Sequence, residues 1–186
     1  DLRNPFFTEF ATTAQMTFSR HGYATVIANT DEQAKIQDQV IASMLEHDVS
    51  ALLISPCYGG DGAFFTDIAR ANTPTMQVLR CIDERKDLFP FYSMDYEAGG
   101  RMAAEHLIAQ GAKNIAFVGG VEGGEITQER MSGYLQVLDE YNLEPKVFYG
   151  RAARKMGRDT ALDIAANHKG IDAVICFNDL VALGML

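Results

Sequence analysis

Catalysis needs nucleophiles, acids, bases or metal ligands at fixed spacings, and this chain supplies none in a usable pattern. Its four histidines, His21, His47, His106 and His168, fall at the ends or in the interiors of helix-patterned stretches. None stands in the HxH or HExxH spacing that brings two imidazoles to one metal. No GxSxG elbow exposes a serine nucleophile. Cys57, Cys81 and Cys176 are an odd number without CxxC spacing, each in or just after an apolar run. They are expected to be buried free thiols, which suits a reducing compartment. Gly119-Gly120-Val121-Glu122-Gly123-Gly124 lacks both the GxGxxG spacing and the GK[ST] of a phosphate cradle, so it reads as a tight turn. Arg151, Arg154, Lys155 and Arg158 form the one dense basic cluster. It reads as a solvated helix start, with contact to an anionic group on a ligand or partner as the alternative. No catalytic residue, metal set or cofactor motif can be named, and the expectation is a binding protein rather than an enzyme.

The elements that would position a binding site alternate with unusual regularity. Helical patterns cover Phe6 to Arg20, Thr30 or Asp31 to about His47, Gly62 to Ala71, Tyr96 to Gln110, Thr127 to Tyr141 and Gly157 to His168. A last helix begins after Asn178. Extended runs lie between them at Tyr23 to Ala28, Ala51 to Ser55, Thr75 to Leu79, Phe89 to Met94, Ile115 to Val118, Val147 to Tyr149 and Ala173 to Phe177. Strands alternating with helices of this length predict an α/β fold with parallel sheets and right-handed crossovers. With 47% hydrophobic and 22% charged residues, the composition is that of an ordinary globular protein rather than a disordered one. The 186 residues suffice for one core or two small lobes. No apolar run approaches the roughly 20 residues that span a bilayer. The formal charge of −9 is spread over both halves, 12 acidic and 7 basic residues up to Met94, then 13 and 9. Neither half offers the basic surface that holds DNA phosphates. Asp1-Leu2 reads as a loop from a strand not in this chain, and the last helix has no stop signal, so both ends are expected to be cut.

In open parallel sheets, ligands bind at the carboxyl ends of strands. The loops there hold aromatics, amides, a carboxylate and several arginines, a mixture suited to a sugar- or nucleobase-sized ligand. Plainer readings stand beside it. Phe6 and Phe7 could be core residues of the first helix, Arg130 a surface residue, and Asn178 only an N-cap.

Several runs come in a characteristic order: Asn4-Pro5-Phe6-Phe7, Asp95-Tyr96-Glu97-Ala98-Gly99-Gly100, Ile115-Ala116-Phe117-Val118-Gly119-Gly120, Glu129-Arg130-Met131-Ser132-Gly133-Tyr134 and Cys176-Phe177-Asn178-Asp179. Together they resemble the effector-binding core of the lac/galactose repressor family of bacterial transcription regulators, over nearly the whole chain. The resemblance implies two Rossmann-like lobes of the type I periplasmic-binding-protein kind, incomplete at both ends, with residues 1–94 in the first and 95–186 in the second. It implies a cytoplasmic homodimer that binds a sugar or related small metabolite between its lobes. Operator DNA would be bound through a headpiece absent from this chain. Phe7, with Phe6 nearby, would pack against the effector, Arg130 would fork onto its oxygens, and Asn178 and Asp179 would face it. Ile126 stands where some members place a polar contact, and Met94-Asp95 replaces a common Asp-Asn before Tyr96. A periplasmic sugar-binding protein of a transporter is the alternative, and an enzyme on a related fold a more distant one.

Overall fold

The computed structural model describes residues 2–85 and 87–186. Asp1, read above as part of a strand-to-helix loop, lies outside the described residues. The chain divides into two compact units, 1–93 and 94–186.

The first unit contains α1 (Pro5–Arg20), α2 (Ala34–Glu46), β1 (Leu52–Ile54), α3 (Phe64–Ala71), β2 (Thr75–Val78) and β3 (Phe91–Tyr92). The strands form one parallel sheet in the order β1-β2-β3. Ile41, Leu52, Ile54, Phe64, Phe65, Ile68 and Phe89 make the core between the sheet and α2 and α3. Gln77, in the middle of β2, is fully buried, and its amide is well satisfied. Its Oε1 accepts from the Ile82 and Asp83 amides (3.0 and 3.1 Å), and its Nε2 donates to the Asp83 carbonyl at 2.7 Å. A buried amide with both ends satisfied pins the loop after β2.

Three expectations are corrected, the last of them extending to the second unit. The β-type run Tyr23 to Ala28 forms no strand, because no described neighbour offers it a ladder. Tyr23, Val26 and Ile27 stay exposed. The second helix starts at Ala34 behind Gln33, not at Thr30 or Asp31. Thr30 Oγ1 is in contact with Cys57 Sγ (3.1 Å), Asp31 pairs with Arg3, and Asp31 and Glu32 both have positive φ (50° and 59°). Two residues in the left-handed region cannot open an α-helix. Of the cysteines, Cys57 is buried, but Cys81 and Cys176 are only half-buried.

The second unit contains α4 (Tyr96–Ala109), β4 (Ile115–Val118), α5 (Glu125–Glu140), β5 (Lys146–Phe148), α6 (Arg154–Asn167), β6 (Ala173–Cys176) and α7 (Asp179–Met185). Its parallel sheet runs β5-β4-β6, with every residue of central β4 buried. The fully buried Tyr134 stitches β4 to β5: its hydroxyl donates to the Ile115 carbonyl at 2.9 Å and accepts from the Lys146 amide at 3.0 Å. Helix α6 begins at Arg154, not Gly157, since Gly157 serves packing rather than initiation.

The helices pack in pairs through glycines. A Cβ on Gly100 would collide with the Arg130 carbonyl, and one on Gly133 with the Glu97 carbonyl, so α4 and α5 touch backbone to backbone. Helices α6 and α7 repeat the device, with Gly157 against the Val181 carbonyl and Gly184 against that of Arg154. A Cβ on Gly99, one residue before Gly100, would meet nothing. Gly100→Ala should therefore destabilise the protein by about 2 kcal/mol or more through overpacking. Gly99→Ala should be neutral or stabilising by up to about 1 kcal/mol through helix propensity. Urea melts of the two variants side by side check both, and equal effects would contradict the packing described here.

Candidate functional site

In the second unit, the glycine contact brings the start of α5 against the start of α4. Asp95 caps α4 by accepting the Ala98 amide at 2.8 Å, which sets Tyr96 as its first residue. The Arg130 guanidinium carbon lies 4.9 Å from the Tyr96 ring centroid and 5.4 Å from that of Phe177. Phe177 follows β6 at its carboxyl end, so strand, α4 and α5 converge on one cation held between two aromatic faces. Such contacts are worth about 0.5–2 kcal/mol each, and they hold a flexible side chain in a defined pose.

The turn after β4 fits tightly around this group. Gly119 and Gly120 have φ of 99° and 88°, and a Cβ on Gly120 would press on Thr127 and Phe177. The glycines make room for side chains. Thr127 is buried, and its hydroxyl has no hydrogen-bond partner among the described residues. Four carboxylates surround the helix starts. The Glu129 carboxyl is pushed up, first by its own burial and then by the negative charges of Glu125, Asp95 and Glu97.

Asn178 and Asp179 sit beside Phe177. Asn178 does cap α7, its Oδ1 accepting from the Val181 amide at 3.1 Å, and the Nδ2 donors are not used in that cap. Asp179 is exposed in the first turn of α7. Ile126 is buried and offers no polar contact. Arg130 and Phe177 are thus brought together, and Asn178 and Asp179 follow Phe177 in sequence at the start of α7.

Phe6 and Phe7 belong to the first unit. They begin α1 behind the Asn4 cap (Oδ1 to the Phe6 amide, 3.1 Å), with their rings edge to face at 5.3 Å. Phe6 is exposed and Phe7 half-buried among the described residues. A chain of contacts ties neighbouring loops of this unit together. The Leu2 amide donates to Asn29 Oδ1 (3.4 Å), Arg3 pairs with Asp31, Thr30 meets Cys57, and Glu32 pairs with Arg80.

The last of these is the strongest group in the unit, and nothing in the sequence patterns singled it out. Arg80 stands at the carboxyl end of β2, 8% exposed. Its two Nη atoms donate in parallel to the Glu32 carboxylate, both at 2.8 Å, and one also reaches the Pro56 carbonyl at 2.6 Å. The Tyr58 ring centroid lies 3.8 Å from the guanidinium. Burial pushes the Glu32 carboxyl up, but the Arg80 hydrogen bonds and charge and the Tyr58 amide outweigh it, and its pKa lies below the usual 4.5. Burial likewise disfavours the Arg80 charge, and Glu32 reverses that. The available signal was a charged residue directly after the apolar run Val78-Leu79, where a strand ends. Glu32, 48 residues away, carried none.

No group of three or more His, Cys, Asp or Glu side chains among the described residues could hold a metal. Among them, too, no helix is long and apolar enough to cross a membrane. Two units with parallel sheets, each flanked by helices, make this an α/β protein of the type I periplasmic-binding-protein kind. The family model for periplasmic binding proteins and the sugar binding domain of the LacI family matches residues 1–186, and the chain belongs to that family. It is 26% identical over 190 residues to the ribose operon repressor of Halalkalibacterium halodurans, covering all of this chain and 54% of that protein. It is 28% identical over 194 residues to the ribose import binding protein of Bacillus subtilis, covering all of this chain and 61% of that one. The Cra transcriptional dual regulator of Pseudomonas putida, solved with fructose 1-phosphate, superposes with a TM-score of 0.89 at 21% identity. That match covers all of this chain and 68% of the regulator. The chain therefore spans little more than half the length of the curated relatives it matches.

The Glu32–Arg80 pair sets a pH dependence. A carboxyl whose folded pKa is depressed contributes stability that is complete above its unfolded value, and loses it as pH falls through the folded one. The urea midpoint of the protein should drop below about pH 4.5, more steeply than that of Glu32→Gln. Parallel acid profiles for the two chains would show that the pair contributes nothing.

Proposed function

We propose that this chain is the effector-sensing part of a LacI-type transcriptional repressor. It binds a sugar or similar small metabolite and performs no catalysis. The arrangement that carries the reading is the Arg130 guanidinium fixed between the Tyr96 and Phe177 rings at the carboxyl end of a parallel sheet. A planar fork with five donors matches vicinal hydroxyls or a carbonyl, and flat apolar faces match the carbon skeleton of a ring. In this reading Arg130 and Asn178 donate to effector oxygens, Asp179 accepts from a hydroxyl, and Phe6 and Phe7 supply an apolar face from the first unit.

The mechanism is a population shift. The effector binds one arrangement of the two units better than the other, and biases DNA affinity by that difference. Operator DNA is bound by a separate headpiece, in a cytoplasmic homodimer. The carboxylates outnumber the basic residues in both halves of the chain, which is consistent with DNA contact lying elsewhere. The likeness to a ribose import binding protein supports a second reading, a solute-binding protein that serves a transporter.

A thermal-shift screen of the full-length protein against sugars, sugar phosphates, nucleosides and purines tests the first reading, since a ligand of the native state raises the melting temperature. A sugar that both raises the melting temperature and alters retention of promoter DNA in a gel shift supports a repressor. A sugar that binds with no DNA complex at any protein concentration supports the transport reading. Arg130→Ala should weaken binding of that sugar by at least about 100-fold, as expected when buried ligand oxygens lose a charged donor. Its circular dichroism should be unchanged, and unaltered affinity in calorimetry would remove Arg130 from the site. Light scattering at micromolar concentration should give a dimer.

A further inference from the structure

One buried hydroxyl of the second unit has no use in the packing around it. Thr127 is 1% exposed, and its Oγ1 has no hydrogen-bond partner among the described residues. A buried hydroxyl left unpaired destabilises a fold, and valine would fill the same volume without that penalty. Polar groups buried at a cost call for an explanation.

The position of Thr127 supplies one. It stands at the carboxyl end of the central strand β4, the region where ligands of open parallel sheets bind. It belongs to the first turn of α5, a 16-residue helix whose N-cap is Gly124 and which no side chain caps among the described residues. The opening amides of a helix have no partner within it. A Cβ on Gly120 would lie 2.7 Å from Thr127 Oγ1 and 2.9 Å from the Phe177 ring. The hydroxyl therefore faces the turn from Gly119 to Gly124, beside Phe177. Four of the six residues of that turn are glycines, and Val121 and Glu122 are exposed. On this side the hydroxyl is covered by backbone that carries no side chains.

Charge limits what can meet it. Glu125 and Glu129 flank Thr127 along α5, and Asp95 and Glu97 begin α4. The Glu129 carboxyl is pushed up by its burial and then by the other three charges, so a further anion is unwelcome here. A neutral hydroxyl suits the place, since it can both donate to Thr127 and accept from it.

We propose that Thr127 is a specificity-determining residue of the sugar site, its hydroxyl pairing with one hydroxyl of an uncharged sugar that enters beneath the Gly119–Gly124 turn. This rests on the sugar-binding reading above and adds a contact to it. The Thr127 hydroxyl is then a burden on the free protein and a gain in the complex, so its removal acts with opposite signs on stability and on affinity.

Two substitutions in the full-length protein test this, by urea melts without sugar and by calorimetry against ribose, fructose, xylose and glucose. Thr127→Val, which keeps the shape, should raise the urea midpoint and weaken binding of the recognised sugar by about tenfold or more. Thr127→Ser, which keeps the hydroxyl, should bind that sugar within about threefold of the unmodified protein. A hydroxyl that serves only the fold would do the reverse, its loss lowering the midpoint and leaving affinity unchanged. A Thr127→Val protein that melts at lower urea, or that binds the sugar as tightly as the unmodified one, overturns the inference while sugar sensing stands. If no sugar of the panel binds the unmodified protein, the sugar-binding reading fails and this inference fails with it.

Discussion

The cluster of Tyr96, Arg130 and Phe177 in the second unit depends on how closely two helices approach. At Gly100 and Gly133 the backbones of α4 and α5 touch directly, each glycine receiving a carbonyl of the other helix. One of those carbonyls belongs to Arg130, and the other to Glu97, the residue after Tyr96. The close approach therefore does more than fill space. It sets the distance from guanidinium to aromatic ring by fixing the two backbones that carry them. Side chains interleaved between the helices would have spread them and opened that gap. Helices α6 and α7 use the same contact, and it brings the Asn178 cap and the start of α7 to a fixed place beside β6.

The first unit solves the same problem with charge. Its loops bury Cys57, Leu79 and Phe89, and polar contacts join one loop to the next. What fixes them is a run of polar contacts from Leu2 to Arg80, ending in an ion pair with good geometry and additional hydrogen bonds. A buried pair holds an arrangement more surely than it stabilises a fold, since desolvating both ions offsets much of their attraction. Gln77 plays the complementary part with a neutral side chain, satisfying three groups of the loop that follows Arg80.

Much of this was legible in the residues. Periodicity gave the alternating elements, and the short, fully apolar run Ile115 to Val118 emerged as the central strand. Asn4, Asp95 and Asn178 cap helices as their types suggest, because an N-cap is a local interaction written in one residue. The family resemblance carried Arg130. The parts that were not legible depend on distant partners. Tyr23 to Ala28 has the residue types of a strand, but a strand exists only when another pairs with it. The start of α2 was misplaced because Thr30 and Asp31, good caps by type, are engaged elsewhere. Arg80 and Glu32 lie 48 residues apart, and no local pattern joins them. Nothing in the local pattern marks Gly100, Gly133, Gly157 and Gly184, and only the fold shows that each receives a carbonyl of another helix.

The loop carrying Asp31 and Glu32 is fastened at two neighbouring residues of unequal depth. The Arg80–Glu32 side chains are 10% and 25% exposed, whereas those of Arg3 and Asp31 are 69% and 37% exposed. Dissolved ions screen the second pair far more than the first, with a Debye length of about 8 Å at physiological ionic strength. Rising salt therefore loosens the link to Arg3 while the link to Arg80 stays closed. Ionic strength acts on one side of this loop only, so its attachment to the segment before α1 varies with the medium and its attachment to the sheet does not.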